Sequence, residues 1–150
     1  MDIEFRIAKK EDVGEMIKLC NECFGEKSSE EYALKRFDEK NDQQIYLLGV
    51  TEEGIVVSHT LINIIPTCFE EMGTYAILNH VCVKPEYRRN HIGEKMMDEC
   101  AKICLARGCK MMKLWSKNFR TAAHAMYHKY GFETIDAAFF EKDLGGKNEN

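Results

Sequence analysis

Residues 75 to 94 read Tyr75-Ala76-Ile77-Leu78-Asn79-His80-Val81-Cys82-Val83-Lys84-Pro85-Glu86-Tyr87-Arg88-Arg89-Asn90-His91-Ile92-Gly93-Glu94. The first nine residues are mostly apolar, with β-branched side chains at Ile77, Val81 and Val83, and Pro85 cannot continue a ladder, so the run predicts a strand. From Ile92 the apolar residues Met96, Met97, Cys100, Ile103 and Cys104 recur at helical spacing, which predicts a long amphipathic helix. Between strand and helix lies a polar turn with two arginines and a glycine. The first amides of a helix have no carbonyl one turn back and carry partial positive charge, so such a turn is a seat for phosphate oxygens.

The rest of the chain surrounds this unit with strands and helices. Ile3, Phe5 and Ile7 alternate with Glu4 and Arg6, predicting a half-buried strand. Val13, Met16, Ile17, Cys20 and Phe24 form the apolar stripe of a helix whose start carries Glu11 and Asp12, placed to suit its dipole. A shorter helix is expected from about Ser29 to Asp38, capped by Ser28 or Ser29. Gln44 to Val50 and Ile55 to Ile65, joined by Glu52-Glu53-Gly54, read as a β-hairpin; its second arm holds His59 and Asn63, each read either as a pocket-lining group or as an ordinary strand residue. Lys110 to Trp115 predicts another strand. A helix with Ala122, Ala123, Met126 and Tyr130 then ends at Gly131, a final strand is expected over Glu133 to Lys142, and Gly145 to Asn150 reads as a frayed tail. Alternating strands and helices imply an α/β fold with helices on both faces of the sheet, and the hairpin makes that sheet mixed.

Composition narrows the classes. At 150 residues, with 45% hydrophobic and 31% charged residues, the chain suits one soluble domain, residues 1–150. A net charge of -4 argues against nucleic acid or an anionic membrane as partner. No apolar run is long enough to span a bilayer, and Met1-Asp2-Ile3-Glu4 lacks the character of a signal peptide, so a cytoplasmic protein is expected. The 7 cysteines lie mostly on apolar stripes, which reads as free buried thiols in a reducing compartment. Cys20 and Cys23 have metal-ligand spacing and His124 and His128 sit one helical turn apart, but neither pair has a companion CxxC or HExxH, so packing is the preferred reading and no metal is expected.

Two stretches carry a resemblance. Arg88, His91 and Gly93 fall where the GNAT N-acetyltransferases have Arg or Gln, two residues, Gly, one residue, then Gly or Ala, with His91 in place of the first glycine. Ala123-His124-Ala125-Met126-Tyr127, followed by Gly131-Phe132, resembles the family's alanine, three residues, tyrosine, then Gly-Phe. The resemblance implies the acyl-CoA N-acyltransferase fold: a mixed, mostly antiparallel sheet with a splayed parallel strand pair, into which pantetheine enters. It implies acetyl-CoA as acyl donor, its pantetheine on the backbone of Val81, Cys82 and Val83 and its pyrophosphate on Arg88, Arg89, Asn90, His91, Ile92, Gly93 and Glu94. Asn118, Arg120, Ala123 and Tyr127 complete the implied cofactor set. Arg120 stands where many members have asparagine, as in a subset of small-amine acetyltransferases, and Asn118 is near enough in sequence to substitute.

The same resemblance makes Tyr127, His80 and Asn79 the catalytic candidates, because Asn79 and His80 occupy the places where many members carry a carboxylate. An alkylamine of pKa about 10 is neutral in only about one molecule in a thousand at pH 7, so a base must take its proton. An imidazole titrating near 6.5 suits that task, and a tyrosine near 10 suits the return of a proton to a thiolate of about 8.5. The developing oxyanion is expected on a backbone amide near Val81. The expected reaction moves acetyl from acetyl-CoA to a primary amine of a small molecule by direct attack in a ternary complex. Two alternatives stay open: an acyl-CoA-binding sensor without turnover, and acetylation of protein lysines or N-termini. A homodimer is also left open.

Overall fold

The computed structural model describes residues 2–146. Its contacts divide the chain into two compact units, Met1–Trp115 and Ser116–Asn150. In the first, β1 (Ile3–Ile7) leads through a 3-10 turn at Lys10–Asp12 into α1 (Val13–Phe24), followed by α2 (Glu30–Glu39). Then come β2 (Gln44–Thr51), β3 (Val56–Ile65), β4 (Thr74–Val83), α3 (Ile92–Ala106) and β5 (Cys109–Lys113). The second unit carries α4 (Thr121–Tyr130).

Local signals explain most boundaries. Gly25 ends α1 in the left-handed region at φ 64°, a conformation that costs glycine nothing. Ser29 caps α2, its Oγ accepting from the Tyr32 amide at 3.0 Å. Asp12 sits at the start of α1 as its position suggests, without a side-chain cap bond to α1; its buried carboxylate accepts two bonds from Arg6, at 2.9 and 3.0 Å, and one from the Lys9 amide at 2.8 Å. That ties the end of β1 to the start of α1.

The sheet runs β1-β2-β3-β4-β5, with antiparallel neighbours throughout except the parallel pair β4 and β5. This is the mixed, mostly antiparallel arrangement expected. One face carries α1 and α2: Val13, Met16, Leu19 and Cys20 of α1 pack against Leu48, Val50, Val56 and Cys82. The other carries α3, whose Met96, Met97, Cys100 and Cys104 are buried; Thr60 of β3 donates to Met96 Sδ at 3.2 Å. Fully burying each such apolar side chain contributes roughly 1.5 to 3 kcal/mol.

In the second unit Gly131 closes α4 at φ 116°, and the Phe132 amide returns to the Tyr127 carbonyl at 2.9 Å. The strand expected over Glu133 to Lys142 is not formed; no strand lies between Phe132 and Gly146. Alternation gives a segment two faces, but a strand also requires a neighbour to ladder with, which spacing does not supply. Of the tail expected at Gly145 to Asn150, residues 147–150 lie outside the described residues. Among the described residues, no helix is long and apolar enough to cross a membrane.

Candidate active site

β4 is laddered on both sides only at its start. Its parallel register with β5 runs from Thr74 opposite Cys109 to Ile77 opposite Lys113 and stops there, while β4 continues to Val83 against β3 alone. The pair is therefore splayed, and within this unit no strand covers the outer edge of Leu78 to Val83. The backbone groups of Val81, Cys82 and Val83 belong to this single-laddered stretch.

The stretch also contains a bulge. His59 pairs with Cys82 and Leu61 with Asn79, so Thr60 alone faces both His80 and Val81. His80 takes φ 49°, a left-handed conformation that histidine adopts more readily than most residues but still at some cost. Regular alternation sends His80 to the α3 face with Thr60. The bulge turns it over, and its ring meets Phe24 edge-on at 4.8 Å. Its Nε2 lies 2.9 Å from Glu26 Oε1. A carboxylate accepts only, so Nε2 carries a proton, and in the neutral ring the lone pair is then on Nδ1.

Asn79 lies on the same face. Gln44, Asn63 and Ile77 stand opposite one another across β2, β3 and β4, and Tyr46, two residues beyond Gln44, packs on Phe37 of α2 at 5.7 Å. Asn63 Nδ2 donates to Asn79 Oδ1 at 2.8 Å and to the Ile77 carbonyl at 3.1 Å. These residues join Gln43, Gln44 and Trp115 in lining a cleft of about 380 Å³, within the size range of small-ligand sites. Asn63 meets both of its readings, hydrogen-bonded within the sheet and lining the cleft.

Beyond Val83 the turn is built for backbone approach. Arg88 Nε donates to the Val83 carbonyl at 3.0 Å, and Asn90 Nδ2 to the Tyr87 carbonyl at 3.0 Å. Arg89 sits at φ 71° and His91 at φ 58°, ψ 19°, both left-handed. His91 thus takes the conformation its replaced glycine would take freely, and is the N-cap of α3 without a side-chain cap bond. The first intrahelical bond is Lys95 to the His91 carbonyl at 3.2 Å. The first-turn amides, those of Ile92 and Gly93 among them, have no carbonyl one turn back to meet, and buried Ile92 pins the turn to the core.

The Cys82 side chain faces α1. Hydrogen bonding from Cys82 pulls the Cys20 thiol down to about 5, and the same contacts with Cys20 and Cys23 push the Cys82 thiol up. On the α3 face burial pushes Cys100 and Cys104 up to about 12.

The remaining sequence candidates belong to the second unit. The Arg120 amide donates to the Lys117 carbonyl at 3.0 Å, in the turn that contains Asn118, and the Arg120 guanidinium lies 5.1 Å from the Phe119 ring. Ala123 and Tyr127 are on α4; Tyr127 is buried, with its ring 5.6 Å from Phe132. Sequence reasoning missed Glu26. It lies 54 residues from His80, and nothing local marks it.

The family model of the acetyltransferase (GNAT) family matches residues 13–132. The chain belongs to that family. Solved structures agree on the fold. Glucosamine-6-phosphate N-acetyltransferase from Arabidopsis thaliana superposes with a TM-score of 0.80 at 18% identity, covering 95% of this chain and 99% of that one. An aminoglycoside antibiotic 6'-N-acetyltransferase from Acinetobacter baumannii gives 0.77 at 17%, covering 96% and 100%. A predicted acetyltransferase from Clostridium acetobutylicum, solved with acetyl-CoA, gives 0.75 at 18%, covering 95% and 97%. A comparison with curated protein sequences returned no match.

Proposed function

We propose that the protein is an acetyl-CoA-dependent N-acetyltransferase acting on a small primary amine as a single domain. The observation that carries this reading is the two-sided character of β4: an uncovered edge from Leu78 to Val83 that leads directly into the left-handed turn and the start of α3. An extended pantetheine needs the first and a pyrophosphate the second. Val81, Cys82 and Val83 offer backbone groups to the pantetheine amides, and the amides from Arg88 to Glu94 take the pyrophosphate. Asn118, Arg120 and Ala123 are assigned to the cofactor by motif.

In the proposed reaction the amine nitrogen attacks the acetyl carbonyl carbon, forming C–N while its proton passes to Nδ1 of His80, directly or through water. Glu26 holds Nε2 of that ring, which fixes the tautomer with its lone pair on Nδ1. An amide near Val81 meets the developing oxyanion. The tetrahedral intermediate collapses by breaking C–S, and Tyr127 protonates the leaving thiolate. Asn79 and Asn63 offer uncharged hydrogen-bonding groups to the acceptor in the cleft between β2, β3 and β4. The aminoglycoside and glucosamine-6-phosphate N-acetyltransferases, by their names, act on amines and share the fold.

The test is release of CoA thiol from acetyl-CoA across a panel of small primary amines, with acetyl-CoA affinity measured in parallel by calorimetry. Amine-dependent release is expected. Tight acetyl-CoA binding with no release above background for any small amine, nor for lysine-containing or free N-terminal peptides, would instead establish a sensor, and release with the peptides alone a protein acetyltransferase. With a substrate in hand, Tyr127→Phe is expected to lower the single-turnover rate by about 10² or more while leaving acetyl-CoA affinity nearly intact, since its proton is needed only as C–S breaks.

A further inference from the structure

Three elements of the first unit bring sulfur and imidazole together on the α1 face. Cys20 and Cys23 lie three residues apart near the end of α1, so their side chains are neighbours on one side of the helix. His59 and Cys82 stand directly opposite each other across β3 and β4, so they leave the sheet on the same face. The sulfurs of Cys20 and Cys82 and a ring nitrogen of His59 all lie within 4.8 Å of one another. All three residues are buried, His59 to 2% exposure. Cys23, on the next turn of α1, is half-buried and its thiol donates to the Val83 carbonyl at 3.7 Å, beside Cys82 in the chain.

His59 decides what this cluster is. Its Nδ1 lies 2.7 Å from the His80 carbonyl oxygen. A carbonyl only accepts, so Nδ1 bears the proton and Nε2 holds a lone pair. That buried Nε2 has no hydrogen-bond partner of good geometry among the described residues; the Cys20 thiol, a weak donor, is the group that interacts with the ring. Thiols pack well in apolar cores, and packing accounts for the three cysteines. It leaves a dry imidazole whose acceptor nitrogen meets at best a thiol, a weak donor. A disulfide between Cys82 and either α1 cysteine leaves that nitrogen equally unmet. A metal ion satisfies it, and a metal-bound histidine normally has its other nitrogen fixed by a carbonyl or carboxylate, as Nδ1 is here.

We propose that Cys20, Cys23, His59 and Cys82 form a tetrahedral Cys₃His site for a thiophilic divalent cation, zinc(II) above all. With Zn–S of about 2.3 Å and Zn–N of about 2.0 Å, neighbouring donors in a tetrahedron stand roughly 3.3 to 3.8 Å apart. Binding would draw the three donors closer than their present 4.8 Å limit and turn Cys23 from the Val83 carbonyl to supply the fourth. The four donors leave no open position, which makes the site structural. It joins α1 to β3 and β4 beneath the His80 bulge, whose carbonyl holds His59. The CxxC of the sequence was half of the ligand set; the other half is 36 and 59 residues away from Cys23 in the chain and is brought in by strand pairing.

The test uses the full chain without a histidine tag, purified reduced, then titrated with zinc(II), gel-filtered and assayed for bound metal. Stoichiometric zinc that survives filtration is expected. Cobalt(II) in its place should give near-ultraviolet sulfur-to-cobalt charge transfer together with the intense visible bands of tetrahedral cobalt. Cys82→Ser and His59→Gln should lose most of the bound zinc, whereas Cys104→Ser, on the α3 face, should retain it. Zinc should also raise the melting temperature of the wild type and slow its thiols' reaction with a disulfide reagent. The proposal is overturned if the folded, reduced wild type holds no stoichiometric zinc and shows no cobalt–thiolate absorbance. Full zinc loading in folded Cys82→Ser overturns it too. If that variant does not fold, the wild-type measurements decide alone.

Discussion

The two halves of β4 are continuous in sequence and differ in what surrounds them. Tyr75 to Ile77 is paired on both sides, by β3 and β5, and Thr74 by β5 alone. Leu78 to Val83 keeps β3, loses β5, and contains the bulge at His80. Tyr75 to Ile77 lie between two strands, so substitution there should act on stability. The second carries an uncovered edge, a strained residue and a cleft-lining asparagine, so substitution there should act on chemistry. On the proposed reading, one strand thereby separates scaffold from site.

Ala76→Pro is the harshest way to break this comparison. Ala76 is fully buried with a strand on either side, so whichever way its N–H points, proline removes a ladder bond and cannot keep the strand's preferred φ. A loss of about 3 kcal/mol or more is expected, enough to unfold a marginal domain, and urea denaturation followed by circular dichroism measures it. Retained stability would mean that the double ladder is not what holds the first half.

In the second half, His80→Gly is the informative change, because glycine accepts φ 49° without strain and removes only the imidazole. If imidazole is the base, kcat should fall by about 10²-fold or more, and the acidic limb of the pH-rate profile should vanish, with the melting temperature little changed. A normal acidic limb in this variant would return His80 to a structural role. Glu26→Gln asks whether the carboxylate positions the ring. About a tenfold fall in kcat, with KM for acetyl-CoA unmoved and activity recovered in Glu26→Asp, is the expected pattern for orientation lost through one hydrogen bond to a charged group.

The contrast within β4 also explains what was legible in the sequence. Strand, turn and helix from Tyr75 to Glu94 follow from local rules, as do the α2 cap at Ser29 and the stop of α4 at Gly131. The bulge is not local: it exists because Thr60 on another strand faces two residues of β4. The Glu26 to His80 pair and the Asn63 to Asn79 bond likewise need tertiary structure to be seen. Periodicity placed β5 at Lys110 to Trp115, but the ladder that defines it ends at Lys113, because the splay begins there. A ladder partner, again, is what the alternation over Glu133 to Lys142 lacked.

His91→Gly is the mildest substitution and sharpens the comparison at its far end, where the uncovered edge passes into α3. His91 is held at φ 58°, ψ 19°, and relief of a left-handed β-carbon is worth about 1 kcal/mol or somewhat more. Glycine returns part of that through the greater freedom of its unfolded chain, so the net gain should be about 0.5 kcal/mol, a small shift in melting temperature. Ligand binding is the better readout. The His91 side chain is well exposed and lies 3.7 Å from Glu94 by its Nδ1, so it neither caps the helix nor fills the core. If the pyrophosphate rests on the turn's backbone, removing that side chain gives the phosphate oxygens closer access, and acetyl-CoA affinity measured by calorimetry should hold or rise up to about tenfold. A tenfold fall would show that the imidazole itself contacts the ligand, and the seat would then depend on a side chain where the backbone alone had seemed sufficient.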